Sequence, residues 1–161
     1  MYDFRIEAAD KRALYRDLAS ALEGLTAGER DPIANMANAA ALLWETLPDL
    51  NWAGFYRNGG SGELVLGPFQ GRPACIRIPF GKGVCGTAAE TLEVQRVDDV
   101  HEFEGHIACD SASASELVVP IVGADGGLIA VLDLDSPKKA RFTQEDEAGC
   151  VALAQVLARV L

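Results

Sequence analysis

The sequence predicts an α+β fold: a central antiparallel sheet of about six strands with N- and C-terminal helices packed on it. Three observations carry this expectation. Apolar residues recur at helical spacing at both ends of the chain. Between those ends lie short apolar or alternating runs separated by turn residues. Two of the turns, at Asn58-Gly-Gly-Ser-Gly62 and Ala124-Asp-Gly-Gly127, join adjacent runs closely enough to make hairpins.

The first helix shows one stripe of Leu14, Leu18, Ala21, Leu22 and Leu25. The second opens with Asp31 as N-cap and Pro32 at the first helical position. Its expected buried stripe is Ile33, Met36, Ala37, Ala40, Trp44 and Leu47, and Pro48 stops it. Strands are expected at 51–57, 63–69 and 75–79, followed by a short helix from Gly83 to Thr91 and a strand near 94–97. The stretch from Asp98 to Ser115 is polar and irregular, and too long for a mere connector, which marks it as functional. A second hairpin joins 117–123 to 128–134. The last helix starts at the capping-box pattern Thr143-Gln-Glu-Asp146 and carries Cys150, Leu153, Leu157, Val160 and Leu161 on one side.

The 161 residues are expected to form a single domain. Acidic residues outnumber basic ones by 24 to 14, a formal net charge of −10. That balance argues against nucleic acid or an anionic membrane as partner, because both need a basic face. No apolar run approaches the roughly 18 residues that span a bilayer. The N-terminus lacks the basic-then-apolar order of a secretory signal, so a cytoplasmic location is expected. In that compartment cysteines are more often catalytic or sensing than structural.

Three of the four cysteines, Cys75, Cys85 and Cys109, stand in Gly-rich or polar stretches, at turns and element ends where a thiol can be reached and oxidised. Cys109 lies between His106 and Asp110 in the long polar segment and is the best nucleophile candidate. Cys85 opens a helix, where the macrodipole favours a thiolate. Cys150 falls in the apolar stripe of the last helix and reads as packing. There is no CxxC. His101, His106, Cys109 and Asp110 match no familiar metal spacing, and Gly81-Lys-Gly83 lacks the phosphate-loop pattern, so neither metal nor cofactor is expected.

A second constellation is acidic. The run from Leu128 to Leu134 is apolar at both parities, which describes a strand buried on both faces. Asp133 and Asp135 then share one face. Two carboxylates there either meet a cation, a donor or a shared proton, or else are solvated at the strand end. Glu116 leads directly into the preceding apolar run and could join the same acidic cluster, and a carboxyl with a raised pKa can act as an acid near neutral pH. Trp52 and Tyr56 share a face of the first strand, as core residues or as a pocket wall.

Five segments together resemble a known family: Asn51-Trp-Ala-Gly-Phe-Tyr56, Leu66-Gly-Pro-Phe-Gln-Gly71, Gly83-Val-Cys-Gly-Thr87, Gly105-His-Ile-Ala-Cys-Asp110 and Val131-Leu-Asp-Leu-Asp-Ser136. The chain is similar in these to the free methionine-(R)-sulfoxide reductases, enzymes with a GAF fold, from the second helix to the last. The resemblance implies Cys109 as catalytic cysteine, Cys75 as main resolving cysteine and Cys85 as a second one. It implies that Trp52 and Tyr56 border the substrate methyl group, and that Glu116, Asp133 and Asp135 hold the sulfoxide and amino-acid polar groups. It further implies free methionine-(R)-sulfoxide as substrate and a thioredoxin-type reductant, with an intramolecular disulfide formed by way of a cysteine sulfenic acid. The oligomeric state stays open, a homodimer included. The competing expectation is a GAF module that binds a small ligand or senses redox state without turnover.

Overall fold

The structure, a computed structural model, describes residue 6 and residues 8–105 and 112–161. Helices α1 (Lys11–Thr26) and α2 (Pro32–Thr46) lead into strands β1 (Trp52–Asn58), β2 (Glu63–Gly71) and β3 (Arg77–Pro79). Helix α3 (Gly83–Thr91) and strand β4 (Gln95–Val97) follow, then a 3₁₀ turn at Val100–Glu102. The chain closes with β5 (Ser115–Val122), β6 (Leu128–Ser136) and α4 (Gln144–Leu157). The six strands form one sheet in the order β3-β2-β1-β6-β5-β4, every neighbouring pair antiparallel. The expected α+β architecture is therefore the one observed.

The sheet is covered on both faces, which is why its central strands are apolar at both parities. One face packs on α2 and α4, with α1 laid against those helices, and forms the larger core, with Phe55, Leu117, Val119, Leu132 and Leu134 pointing into it. The opposite face packs on α3 and gathers Trp52, Tyr56, Val118, Val131, Val84 and Cys85. Alternation along β6 sends Leu132 and Leu134 to the first face, leaving Asp133 on the second.

Local signals placed most ends correctly. Asp31 caps α2, its Oδ1 accepting from the amides of Ile33 (2.8 Å) and Ala34 (3.1 Å). Thr143 and Asp146 make the expected reciprocal capping box at α4. The third strand is shorter than expected, leaving Cys75 in the loop before β3. The α2 stripe also differs: Asn35, Met36, Ala39, Ala40, Leu42 and Leu43 turn inward, while Ile33 (44% exposed), Ala37 and Trp44 (39%) face out. An alanine-rich helix offers several faces of similar hydropathy. Here the buried one is set by packing on β1 and β2 and by Asn35, whose Nδ2 donates to the Val160 carbonyl (3.1 Å).

At the α1–α4 crossing, Gly149 leaves room for the Tyr15 ring; a Cβ there would lie 2.1 Å from Tyr15 Cγ. The Tyr15 hydroxyl donates to Asp146 Oδ1 (2.9 Å), and Lys11 Nζ and the Thr143 amide reach Oδ2 at 2.5 and 2.8 Å. Burial works against the charge of Asp146, but Lys11, the Thr143 amide and Tyr15 together bring its pKa down to about 2. Cys150 lies beneath this network as the packing residue expected, with burial pushing its thiol up to about 12. No helix among the described residues is long and apolar enough to cross a membrane.

Candidate active site

The α3 face of the sheet places the carboxylates and aromatics singled out from the sequence side by side. Asp135 on β6 has Trp52 of β1 as its partner on one side and Glu116 of β5 on the other. One step along, Asp133 lies between Gly54 and Val118. Because same-face positions repeat every second residue, Trp52, Gly54 and Tyr56 line the β1 side of this patch.

Gly54 is what lets the aromatic wall close. A Cβ at this position would lie 2.3 Å from Phe69 Cβ and 2.8 Å from the Pro68 carbonyl oxygen. The β1–β2 register shifts between Gly54 and Tyr56, and Phe69 stacks on Trp52 with centroids 5.2 Å apart and planes at 12°. Trp52 stacks in turn on Tyr56 at 5.7 Å. Phe69 is a wall residue that the sequence reading did not single out; its position opposite Gly54 in the β1–β2 hairpin is the signal that would have found it.

From the other side, α3 closes the patch. Gly86 allows the helix to seat against the preceding turn: its amide carbonyl accepts from Gly81 N (2.8 Å), and a Cβ on it would meet the Pro79 oxygen at 2.4 Å. This seating points Cys85 inward. The thiol is 4% exposed and free, against the expectation of an accessible one. Its Sγ donates to Glu116 Oε1 at 3.8 Å. Sγ and carboxylate oxygens of Glu116 and Asp133 all lie within 4.8 Å of one another. The helix dipole does not prevail here, because burial and the charges of Asp133 and Glu116 push the Cys85 thiol well above its ordinary pKa.

The acids are perturbed in the same sense. Burial, then the neighbouring Asp133 and Asp135, raise Glu116 well above the usual carboxylate range, with the Cys85 hydrogen bond working against that rise. Asp133 is raised to about 7 by burial, moderated by hydrogen bonds with Cys85 and Glu116. Near neutral pH the patch therefore holds protons, and carboxylic acids that can donate. Burial, with Asp133 next, also raises Tyr56. Trp52 Nε1 and Asp133 Oδ1 are buried without a hydrogen-bond partner among the described residues. Buried polar atoms are nearly always satisfied, so two orphans of opposite hydrogen-bonding sense in one patch mark a place for a polar ligand. The thiol and two carboxylates could also ligate a divalent cation, a possibility the sequence spacing did not bring up.

Cys75 is half-buried in the loop before β3 and is disulfide-bonded. Cys109, with its neighbours His106 and Asp110, lies outside the described residues. His101, once weighed with them for a metal, instead engages Asp99, whose Oδ1 is 2.9 Å from His101 Nδ1. Asp99 also pairs with Lys139, and that contact, then the bonds from His101, hold its carboxyl well below the usual range.

The GAF domain family model matches residues 15–161. A protein from Escherichia coli named free methionine-R-sulfoxide reductase is 53% identical over 152 residues, 94% of this chain and 91% of the relative. The chain belongs to the free methionine-R-sulfoxide reductase family of GAF proteins. The crystal structure of a family member from Neisseria meningitidis in complex with its substrate superposes with a TM-score of 0.93 at 46% identity, covering 99% of this chain and 95% of that one. A protein from Burkholderia vietnamiensis described as a putative GAF sensor is 57% identical with a TM-score of 0.91, covering 94% and 96%.

Proposed function

We propose that this protein reduces free methionine-(R)-sulfoxide to methionine. The observation that carries the reading is the buried cluster of Glu116, Asp133 and Asp135 against the stacked Trp52, Tyr56 and Phe69, in a chain of this family. A sulfoxide oxygen leaves sulfur only once protonated, so the reaction needs an acid that keeps its proton near neutral pH. Glu116, raised by burial and by two acidic neighbours, fits that need.

In this scheme the Cys109 thiolate attacks the sulfoxide sulfur while Glu116 delivers a proton to the oxygen. The protonated oxygen then passes from the substrate sulfur to Sγ as the new sulfur–sulfur bond breaks, so that methionine departs with that bond's electron pair and Cys109 is left as a sulfenic acid. The Cys75 thiol then condenses with that sulfenic acid, releasing water and forming a disulfide; that Cys75 is disulfide-bonded supports its part. A dithiol protein of the thioredoxin type reduces the bridge and returns both thiols. Trp52 and Tyr56 border the methyl group. Asp133 and Asp135 receive the ammonium, which would favour the free amino acid, since a peptide-bound residue would leave those acids unpaired.

The deciding experiment is direct. Purified protein is given free methionine-(R)-sulfoxide and a thiol reductant, and methionine is quantified, with the (S) epimer and a peptide-bound sulfoxide as controls. Methionine formed from the free (R) epimer alone is the expected result. The second reading, a sensor module, is favoured by the name of the Burkholderia relative. It requires saturable binding of a small ligand with no methionine formed.

A further inference from the structure

Within this proposed function, which the inference rests on, we infer that Cys85 is a positioning residue for Glu116. Its buried S–H holds the carboxyl that protonates the sulfoxide oxygen, a role that stands in place of the second resolving thiol implied by family resemblance.

The geometry is that of a donor, not of an attacking group. Cys85 Sγ donates to Glu116 Oε1 at 3.8 Å, and both side chains are buried, at 4% and 7% exposure. A resolving cysteine has to bring its sulfur to about 2 Å from a sulfenic sulfur, with both backbones close and correctly directed. Cys85 has little freedom to do so. It sits in the first turn of α3, between buried Val84 and Gly86, and that turn is locked by the Gly81–Gly86 hydrogen bond and by the contact of Gly86 with Pro79. Its surroundings are also wrong for a nucleophile. Attack requires the thiolate, yet the groups around this sulfur are carboxyls and Tyr56, with no described cation to favour a negative charge.

The same surroundings suit a neutral thiol. Asp133 and Asp135 both act to raise the Glu116 pKa, Asp133 in part through a hydrogen bond of its own to that carboxyl, whereas the Cys85 S–H donates to Oε1 and acts in the opposite sense. The Cys85 S–H favours one orientation, and by supporting the charged form it restrains how far the pKa of Glu116 rises. Removing it should therefore have two effects of different kinds. The acid is less well aimed, so proton delivery slows; and it keeps its proton to higher pH, so the alkaline limb of the rate profile moves upward.

The test is single-turnover release of methionine from fully reduced protein, mixed rapidly with free methionine-(R)-sulfoxide across a pH series. It compares the wild type with Cys85→Ala and Cys85→Ser. With Cys85→Ala the release rate should fall about tenfold, the scale of a misaimed catalytic group. Half-saturation should stay within about twofold, as expected for an effect confined to the chemical step. The alkaline limb should move up in pH. Cys85→Ser, whose O–H can also donate, should recover part of both effects. A purely packing role would lower the melting temperature without moving the limb, and that result overturns the inference. So does wild-type single-turnover release from Cys85→Ala with slowed recycling, together with a bridge to Cys85 mapped in the oxidised wild type, the outcome for a resolving thiol. No release from the wild type itself overturns the function reading and this inference with it. Should both variants fail to fold, the wild-type S–H infrared band serves: it must shift on Glu116→Gln, and an unchanged band overturns the inference.

Discussion

Glu116 and Asp135 are direct partners across the β5–β6 ladder, so two acids on neighbouring strands point to the same face of the sheet. Opposed like charges destabilise a sheet unless something removes one of them. Here burial raises the pKa of Glu116 well above the usual carboxylate range, which favours its protonated form, with Asp133 and Asp135 adding to the rise. The pair is thus a proton-holding device, and its chemistry can be tested one group at a time.

Glu116→Gln preserves shape and removes the acid. Both kcat and kcat/KM should fall together, by on the order of 10² or more, the range for loss of general acid catalysis. Steady-state kinetics with free methionine-(R)-sulfoxide decide this. A wild-type kcat would move the proton donor to Asp133 or Asp135.

Cys75→Ser separates attack from recycling. Without the thiol proposed to resolve the sulfenic acid, the protein should still release about one methionine per chain in a burst, as a covalent scheme requires. Thioredoxin-driven turnover should then fall sharply. Quench-flow counting of methionine in the absence of reductant tests this; loss of the burst itself would give Cys75 a part in the chemical step.

Asp133 makes stability depend on pH in a stated direction. Its pKa is raised from an ordinary 3.8 to about 7 in the folded chain, so folding favours its protonated form. That contribution is fully present below about pH 4 and is lost as the pH rises through about 7, a change on the order of a few kcal/mol. Asp133→Asn has no carboxyl to ionise at this position. Urea unfolding should find the variant more stable than wild type at pH 8, and the difference should shrink towards pH 5. Parallel stability curves would show that Asp133 is ionised without cost.

Gly54→Ala puts a methyl group into space that Phe69 fills, 2.3 Å from its Cβ and 2.8 Å from the Pro68 oxygen. Backbone and side chain must both shift, at a cost of about 1–3 kcal/mol. Calorimetry should show a lower Tm. Because Phe69 would be pushed from its stack on Trp52, KM should rise as well. An unchanged Tm would mean that β2 yields freely at the bulge.

The fold was largely legible because its signals are local. Asp31-Pro32 and Thr143–Asp146 announce helix starts, and the Gly-rich turns at Gly59–Gly62 and Gly126–Gly127 announce hairpins. The carboxylate site was legible in part because strand parity is strict: Asp133 and Asp135 had to share a face. What parity could not supply was that β1 and β5 flank β6, which brings in Trp52 and Glu116. The burial of Cys85 was illegible for a similar reason. It depends on Gly86 meeting the Pro79 carbonyl and on acids that are distant in sequence, whereas the local context suggested an exposed helix end. The inward face of α2 was misjudged because alanines make its alternatives nearly equal in hydropathy, and Tyr15 with Asp146 joins two ends of the chain that no spacing rule connects.

The proton held near pH 7 on Asp133 has a calorimetric consequence. A ligand that brings an ammonium group into the patch favours the carboxylate form, and the displaced proton must pass to the buffer. The heat of binding would then contain the buffer's own heat of ionisation. Titrations in phosphate and in Tris at the same pH would give different apparent enthalpies for one and the same affinity, and the slope between them would count the protons released as the pocket fills.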